Sequence, residues 1–156
     1  MTEFENSSIY GADFGQATLQ SANFSNSEIT LANMDRADLR GTDFSDAMVK
    51  NALLIGADLR GSKGLTQAQL DRSIGDATTL LPYSEGAEPL HVWSCTMDTI
   101  DVFNVSQVLP AREAWREEPF QSLWKRHFCG PDTPRVKTGT PWPLDAPRPE
   151  GHPLGP

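Results

Sequence analysis

The sequence predicts an all-β solenoid with four sides, and three observations carry the prediction. Large apolar residues recur every five positions: Phe4, Ile9, Phe14, Leu19, Phe24, Ile29, Met34, Leu39, Phe44, Val49, Leu54 and Leu59. Two positions before each stands Ala, Ser or Thr, from Thr2 and Ser7 through Ala12 to Ala57. When the large residues are stacked at intervals of twenty, like falls on like: Phe4, Phe24 and Phe44 in one column, Leu19, Leu39 and Leu59 in another. A helix face would repeat at three and four, and a half-buried strand at two.

Residues two apart on an extended backbone point the same way. Each group of five therefore sends one small and one large side chain inward, and the fifth residue must bend the chain before the next pair. A chain that bends alike every five residues winds into a solenoid whose coils bond to one another. A three-sided coil would stack Phe4, Leu19, Met34 and Val49, a mixed column. Four sides give uniform columns, hence three coils of twenty over residues 2–63.

The segments "ADFGQ", "ANFSN" and "ADLRG", the last occurring twice, make the chain resemble the pentapeptide-repeat family. The resemblance implies a right-handed quadrilateral β-helix with inward Ala and Leu or Phe. It extends over residues 2–63, and "GLTQAQLDRSIGDATTLLP" is similar to the segment that closes many bacterial members. Residues 64–82 are thus expected to form a capping helix and turn. Thr66 and Gln69 fit a capping box, Gly75 fits a C-terminal stop, and Leu65, Leu70 and Ile74 are placed to face the last coil.

All twelve prolines lie at or beyond Pro82 and all four tryptophans at or beyond Trp93, so the second half obeys other rules. Residues 83–130 read as a partly helical extension. Within it Phe120, Leu123, Trp124 and Phe128 share one helical stripe, and "PDTPRVKTGTPWPLDAPRPEGHPLGP" reads as a disordered tail over 131–156. Met48, Leu53 and Ile55 flank inward positions of the third coil and are expected to point outward together. Exposed apolar groups of that kind suggest a covered surface. With Trp115, Leu123, Trp124 and Phe128 they form the expected interaction surface, which residues 83–128 would cover by folding back, unless the patch serves a dimer contact.

Composition narrows the function. A formal net charge of −8, from 21 acidic and 13 basic residues, argues against a direct grip on nucleic acid. No apolar run approaches a membrane span, and "MTEFENSSIY" lacks the features of a signal peptide. Two cysteines are too few for a disulfide framework, so a cytoplasmic setting is expected. His91, Cys95, His127 and Cys129 match no common zinc spacing, and no phosphate loop, GxSxG or HExxH motif occurs. No cofactor and no catalytic residue is assigned.

The expected role is a non-enzymatic scaffold, monomer or homodimer, that presents a surface to a protein partner. Two alternatives stand beside it. Some members of the resembled family mimic B-form DNA and bind DNA gyrase, which would require a long rod and a dense acidic face. Three coils at about 4.8 Å each span only roughly 15 Å. Nine acidic and five basic residues through position 63 leave a net of −4. The Thr18, Asp38, Asp58 column is the most acidic, yet Arg36, Arg40 and Arg60 lie close to it. The other alternative is a Cys/His-dependent enzyme or metal site, which would require Cys95, His91 and His127 to converge.

Overall fold

The computed structural model describes residues 2–94 and 136–155. Every fifth residue from position 6 to position 61 has positive φ, between 51° and 69°. These twelve corners are Asn6, Gly11, Gln16, Ser21, Asn26, Leu31, Arg36, Gly41, Asp46, Asn51, Gly56 and Gly61. They are the bends that the five-residue period demands. Only four are glycine; the others hold a left-handed conformation that disfavours side chains.

Between corners the chain is extended, and each segment pairs in parallel with the one twenty residues on. Strands β1 (Ser8–Tyr10), β2 (Glu28–Thr30) and β3 (Met48–Lys50) form a three-stranded sheet on one face, with Ile9, Ile29 and Val49 in register. Single bridges make the other three faces. One stacks Glu3, Asn23, Asp43 and Lys63; the next, Asp13, Asn33, Leu53 and Ile74; the last, Thr18, Asp38, Asp58 and Leu80. The fold is a β-helical solenoid.

Its interior is the column set that the sequence predicts. The Phe24 ring stacks on Phe4 at 4.8 Å and on Phe44 at 5.4 Å, nearly parallel to both. Phe24, Ala32, Ala37, Leu39, Ala52 and Ala57 have no exposed surface. The Asp and Asn residues before the large positions serve the corners. Their Oδ1 atoms accept the N–H two residues on in Asp13, Asn23, Asn33, Asp38, Asp43 and Asp58. This side-chain turn satisfies a backbone donor at six of the twelve bends.

Beyond residue 63 the ladder continues irregularly, through Lys63, Ile74 and Leu80. On the sheet face a single helical turn, α1 (Gln67–Leu70), replaces a fourth strand. The capping box is present: Thr66 N–H donates to Gln69 Oε1, and Gln69 N–H to Thr66 Oγ1. Gln69 does more, because its Nε2 donates to the carbonyls of Phe44 and Ala47 on the third coil. The expected helix is corrected in two respects. It stops at Leu70 with Asp71 as its C-cap, and Gly75 is no helix stop. Gly75 N–H donates to Trp93 O, and a Cβ there would lie 2.5 Å from Val92 Cγ2. The glycine is required by close approach of the strand that follows.

That strand is β5 (Val92–Ser94), antiparallel to β6 (Val136–Thr138), while β4 (Leu80–Leu81) pairs in parallel with β7 (Thr140–Pro141). Leu81 and Val92 are fully buried and complete the core below the third coil. Residues 83–94 contain a strand and no helix, and residues 136–155 are folded, which corrects the expected tail. That tail is short of aliphatic residues, but Arg148, Trp142 and His152 supply polar anchors.

Candidate interaction surface

The four faces differ in what covers them. The face of β1, β2 and β3 exposes two large side chains. Its outward rows are Ser8, Glu28, Met48 and Tyr10, Thr30, Lys50. Tyr10 is 61 % and Met48 48 % exposed, among the largest apolar exposures on the described residues. Between β3 and α1 runs an open groove of about 760 Å³, bordered by Asp46, Met48, Lys50, Ala68, Gln69 and Arg72. No ion pair involves Lys50 or Arg72 among the described residues.

The face of Thr18, Asp38 and Asp58 is the opposite case. Residues 143–152 lie across it, held by ion pairs. Asp58, with no exposed surface, accepts from Arg60 Nε at 2.8 Å, Arg60 Nη2 at 2.8 Å and Arg148 Nε at 2.7 Å. Asp38 accepts from Arg40 at 2.8 and 2.7 Å, Gln20 Nε2 at 2.7 Å and Arg148 Nη2 at 3.2 Å. Arg60 turns its remaining nitrogen, Nη1, to the carbonyls of Pro143 and Ala146. Burial would raise both carboxyl pKa values, but the hydrogen bonds from the guanidiniums and Gln20 outweigh it. Asp38 is lowered to about 2, and Asp58 is held below the ordinary carboxylate range. Three guanidiniums against two carboxylates mean that this column is not a free anionic strip.

His152, buried in the same strap, is anchored through both ring nitrogens. Leu154 N–H donates to Nδ1, so the proton sits on Nε2, which donates to Thr78 O at 2.8 Å. Burial lowers its pKa, an effect opposed by the hydrogen bond to Thr78 and by Asp58.

Of the residues singled out by sequence, Met48 is exposed, whereas Leu53 is fully buried and Ile55 6 % exposed. The expected apolar patch of three is thereby corrected to Met48 alone. Leu53 and Ile55 are not part of the interior cluster, yet both are buried, and Ile74 continues the ladder from Leu53. Trp115, Leu123, Trp124 and Phe128 lie outside the described residues, as do Cys95, His127 and Cys129. His91 is half-buried, its ring edge-on to Trp93 at 4.9 Å and its backbone clamped by Gln67. Among the described residues no group of three His, Cys, Asp or Glu side chains is placed to hold a metal, and no helix is long and apolar enough to cross a membrane.

Sequence reasoning missed Tyr10, Arg148 and His152. The rule that selected Met48, an outward position beside an inward apolar one, also applies to Tyr10. Arg148 and His152 carried no local signal, because their partners lie 74 to 110 residues away.

The geometry defines a repeat-built solenoid, and the family model for pentapeptide repeats matches it in eight copies, over residues 7–46, 29–61 and 37–74. Residues 7–74 of the chain are thus pentapeptide repeats. Among solved structures it is similar to a pentapeptide repeat protein from the thylakoid lumen of Arabidopsis thaliana, at 27 % identity and a TM-score of 0.24, covering 54 % of this chain and 66 % of that one. It is also similar to Rfr23 from the cyanobacterium Cyanothece 51142, at 23 % identity and a TM-score of 0.26, covering 51 % and 60 %. A third is HetL from Nostoc sp. strain PCC 7120, a pentapeptide repeat protein involved in heterocyst differentiation regulation. There the identity is 24 %, the TM-score 0.23 and the coverage 47 % and 40 %. The match thus spans less than two thirds of each of these chains. No curated protein matches the chain.

Proposed function

We propose that the protein is a non-enzymatic scaffold that binds a protein partner on the β1, β2, β3 face, in a cytoplasmic setting. The observation that supports this is the contrast between faces. The Asp38 and Asp58 face spends its polar groups on residues 143–152, and the Leu53 face is buried, while the sheet face keeps Tyr10 and Met48 in water. A rigid parallel sheet presents such side chains at fixed spacing, so binding them costs little conformational entropy. The neutralised acidic column weighs against gyrase binding by DNA mimicry.

The test is affinity capture from the native host with the full chain. Wild type and Tyr83→Asp, which alters an exposed aromatic residue away from the sheet, should retain the same partner. The double variant Tyr10→Asp, Met48→Asp should lose it. Undiminished capture by the double variant refutes this face as the binding surface.

A further inference from the structure

We infer that the groove between β3 and α1 receives an extended, acidic segment of the partner protein, with an apolar side chain against Met48. This rests on the scaffold reading above and names the chemistry of the partner. Two independent features support it.

The first is charge. Arg36, Arg40, Arg60 and Arg148 each lie in an ion pair with an aspartate of this chain. Arg72 is the only other arginine of the described residues, and it lies on the groove beside Lys50. Arg72 is exposed and Lys50 half-buried, and neither meets a carboxylate among the described residues. In a protein of net charge −8, two unpaired cations flanking an exposed methionine are complementary to an acidic ligand. Asp46 borders the opposite end of the groove, so the ligand's carboxylates belong at the Lys50 and Arg72 end.

The second is the backbone. Met48 N–H donates back to Ser27 O, and Lys50 O accepts from Leu31 N–H, so both residues point toward the second coil. Val49, between them, points its N–H and C=O forward, where a fourth strand would lie. The neighbouring forward groups are taken: Ala47 O by Gln69 Nε2, and Asn51 N–H by Arg72 O. No described residue bonds Val49 on that side. An extended segment laid along the groove can supply both missing partners, in the manner of strand addition at a sheet edge.

The probe is a short fluorescein-labelled peptide of alternating glutamate and leucine, compared with one of alternating lysine and leucine, both titrated by anisotropy against the full chain at low salt. The glutamate peptide should bind saturably and more tightly than the lysine peptide, and added salt should weaken it. Lys50→Glu with Arg72→Glu should lower its affinity by roughly tenfold or more and favour the lysine peptide instead. Lys137→Glu, on β6, should change neither. Equal binding of the two peptides overturns the proposal, as does unchanged affinity in the double charge variant. If neither peptide binds while Tyr10→Asp, Met48→Asp still abolishes partner capture, the acidic class is wrong and the scaffold reading survives.

Discussion

Arg148 reaches 90 positions back along the chain to donate its Nε–H to Asp58 Oδ2 at 2.7 Å, inside a site from which solvent is excluded. Asp58 is also gripped by Arg60, itself 2 % exposed, so the carboxylate balances two buried guanidiniums. Asp58→Ala should therefore destabilise the fold by about 3–5 kcal/mol, because it leaves buried cations uncompensated. Arg148→Ala should cost less, since Arg60 still neutralises Asp58, yet it should free residues 143–152. Urea denaturation measures the first effect. Limited proteolysis measures the second, as faster cleavage of the C-terminal segment in Arg148→Ala than in Arg40→Ala.

The strap also sets the response to acid. His152 is neutral in the fold, with its pKa lowered by burial, so the unfolded chain takes up the proton first. Its contribution is present above about pH 6.5 and is lost as pH falls through that value toward the lower folded pKa. A proton on Nδ1 would also meet the Leu154 N–H that now donates to it. Asp38 acts further down. Its contribution is present above the unfolded value of 3.8 and is lost as pH falls through about 2. Stability measured against pH should decline in two separate stages, and His152→Gln should remove part of the upper stage only. An identical upper stage in that variant would mean His152 does not couple to folding.

How much of this was legible follows from how local each signal is. The interior columns could be read because the corner, the small residue and the large residue recur within five positions and again at twenty. The capping box was legible for the same reason, since Thr66 and Gln69 are three apart. Leu53 and Ile55 were expected to be exposed beside Met48, and both are buried. Their burial was not legible, because it depends on what lies over that face rather than on the repeat. The tail misled most. Its Pro-rich composition describes a chain that cannot build an apolar core, but Arg148 and His152 dock by ion pairs and hydrogen bonds to a surface already built by residues 38–78.

The left-handed corners give a substitution test that reverses the usual rule for glycine. Gln16 is exposed, has φ of 61°, and accepts a fixed bend that costs a side chain about 1–2 kcal/mol. Gln16→Gly relieves that cost and gives back about 0.5–1 kcal/mol as extra freedom of the unfolded chain. The net expectation is a small gain in stability, of order 0.5 kcal/mol. Gln16→Val, with a β-branched side chain at the same φ, should destabilise clearly. Gln20 is exposed too, but it sits outside the corner series. A thermal shift series would fail the corner argument if Gln16→Gly melted below Gln16→Val.

Gln69 separates two readings of one residue. In a capping box, glutamate serves at the third helical position as well as glutamine, because only a side-chain oxygen is needed. Here the oxygen is used, by Thr66 N–H at 2.7 Å, but the amide nitrogen is used as well. It donates to Phe44 O at 3.2 Å and Ala47 O at 2.7 Å, carbonyls that face the missing fourth strand. Gln69→Glu keeps the helix cap while replacing that donor with an anionic oxygen aimed at two carbonyl oxygens. An unpaired buried acceptor costs about 1–3 kcal/mol, and more beside a charge. Gln69→Glu should therefore destabilise the protein at neutral pH by at least as much as Gln69→Ala, which merely deletes the bonds. At a pH low enough to protonate the new carboxyl, its O–H can donate again, and the gap between the Glu and Ala variants should narrow. Urea titrations of wild type and both variants at the two pH values decide it. If Gln69→Glu matches wild type at neutral pH, the residue acts only on the helix and the third coil is capped by other groups.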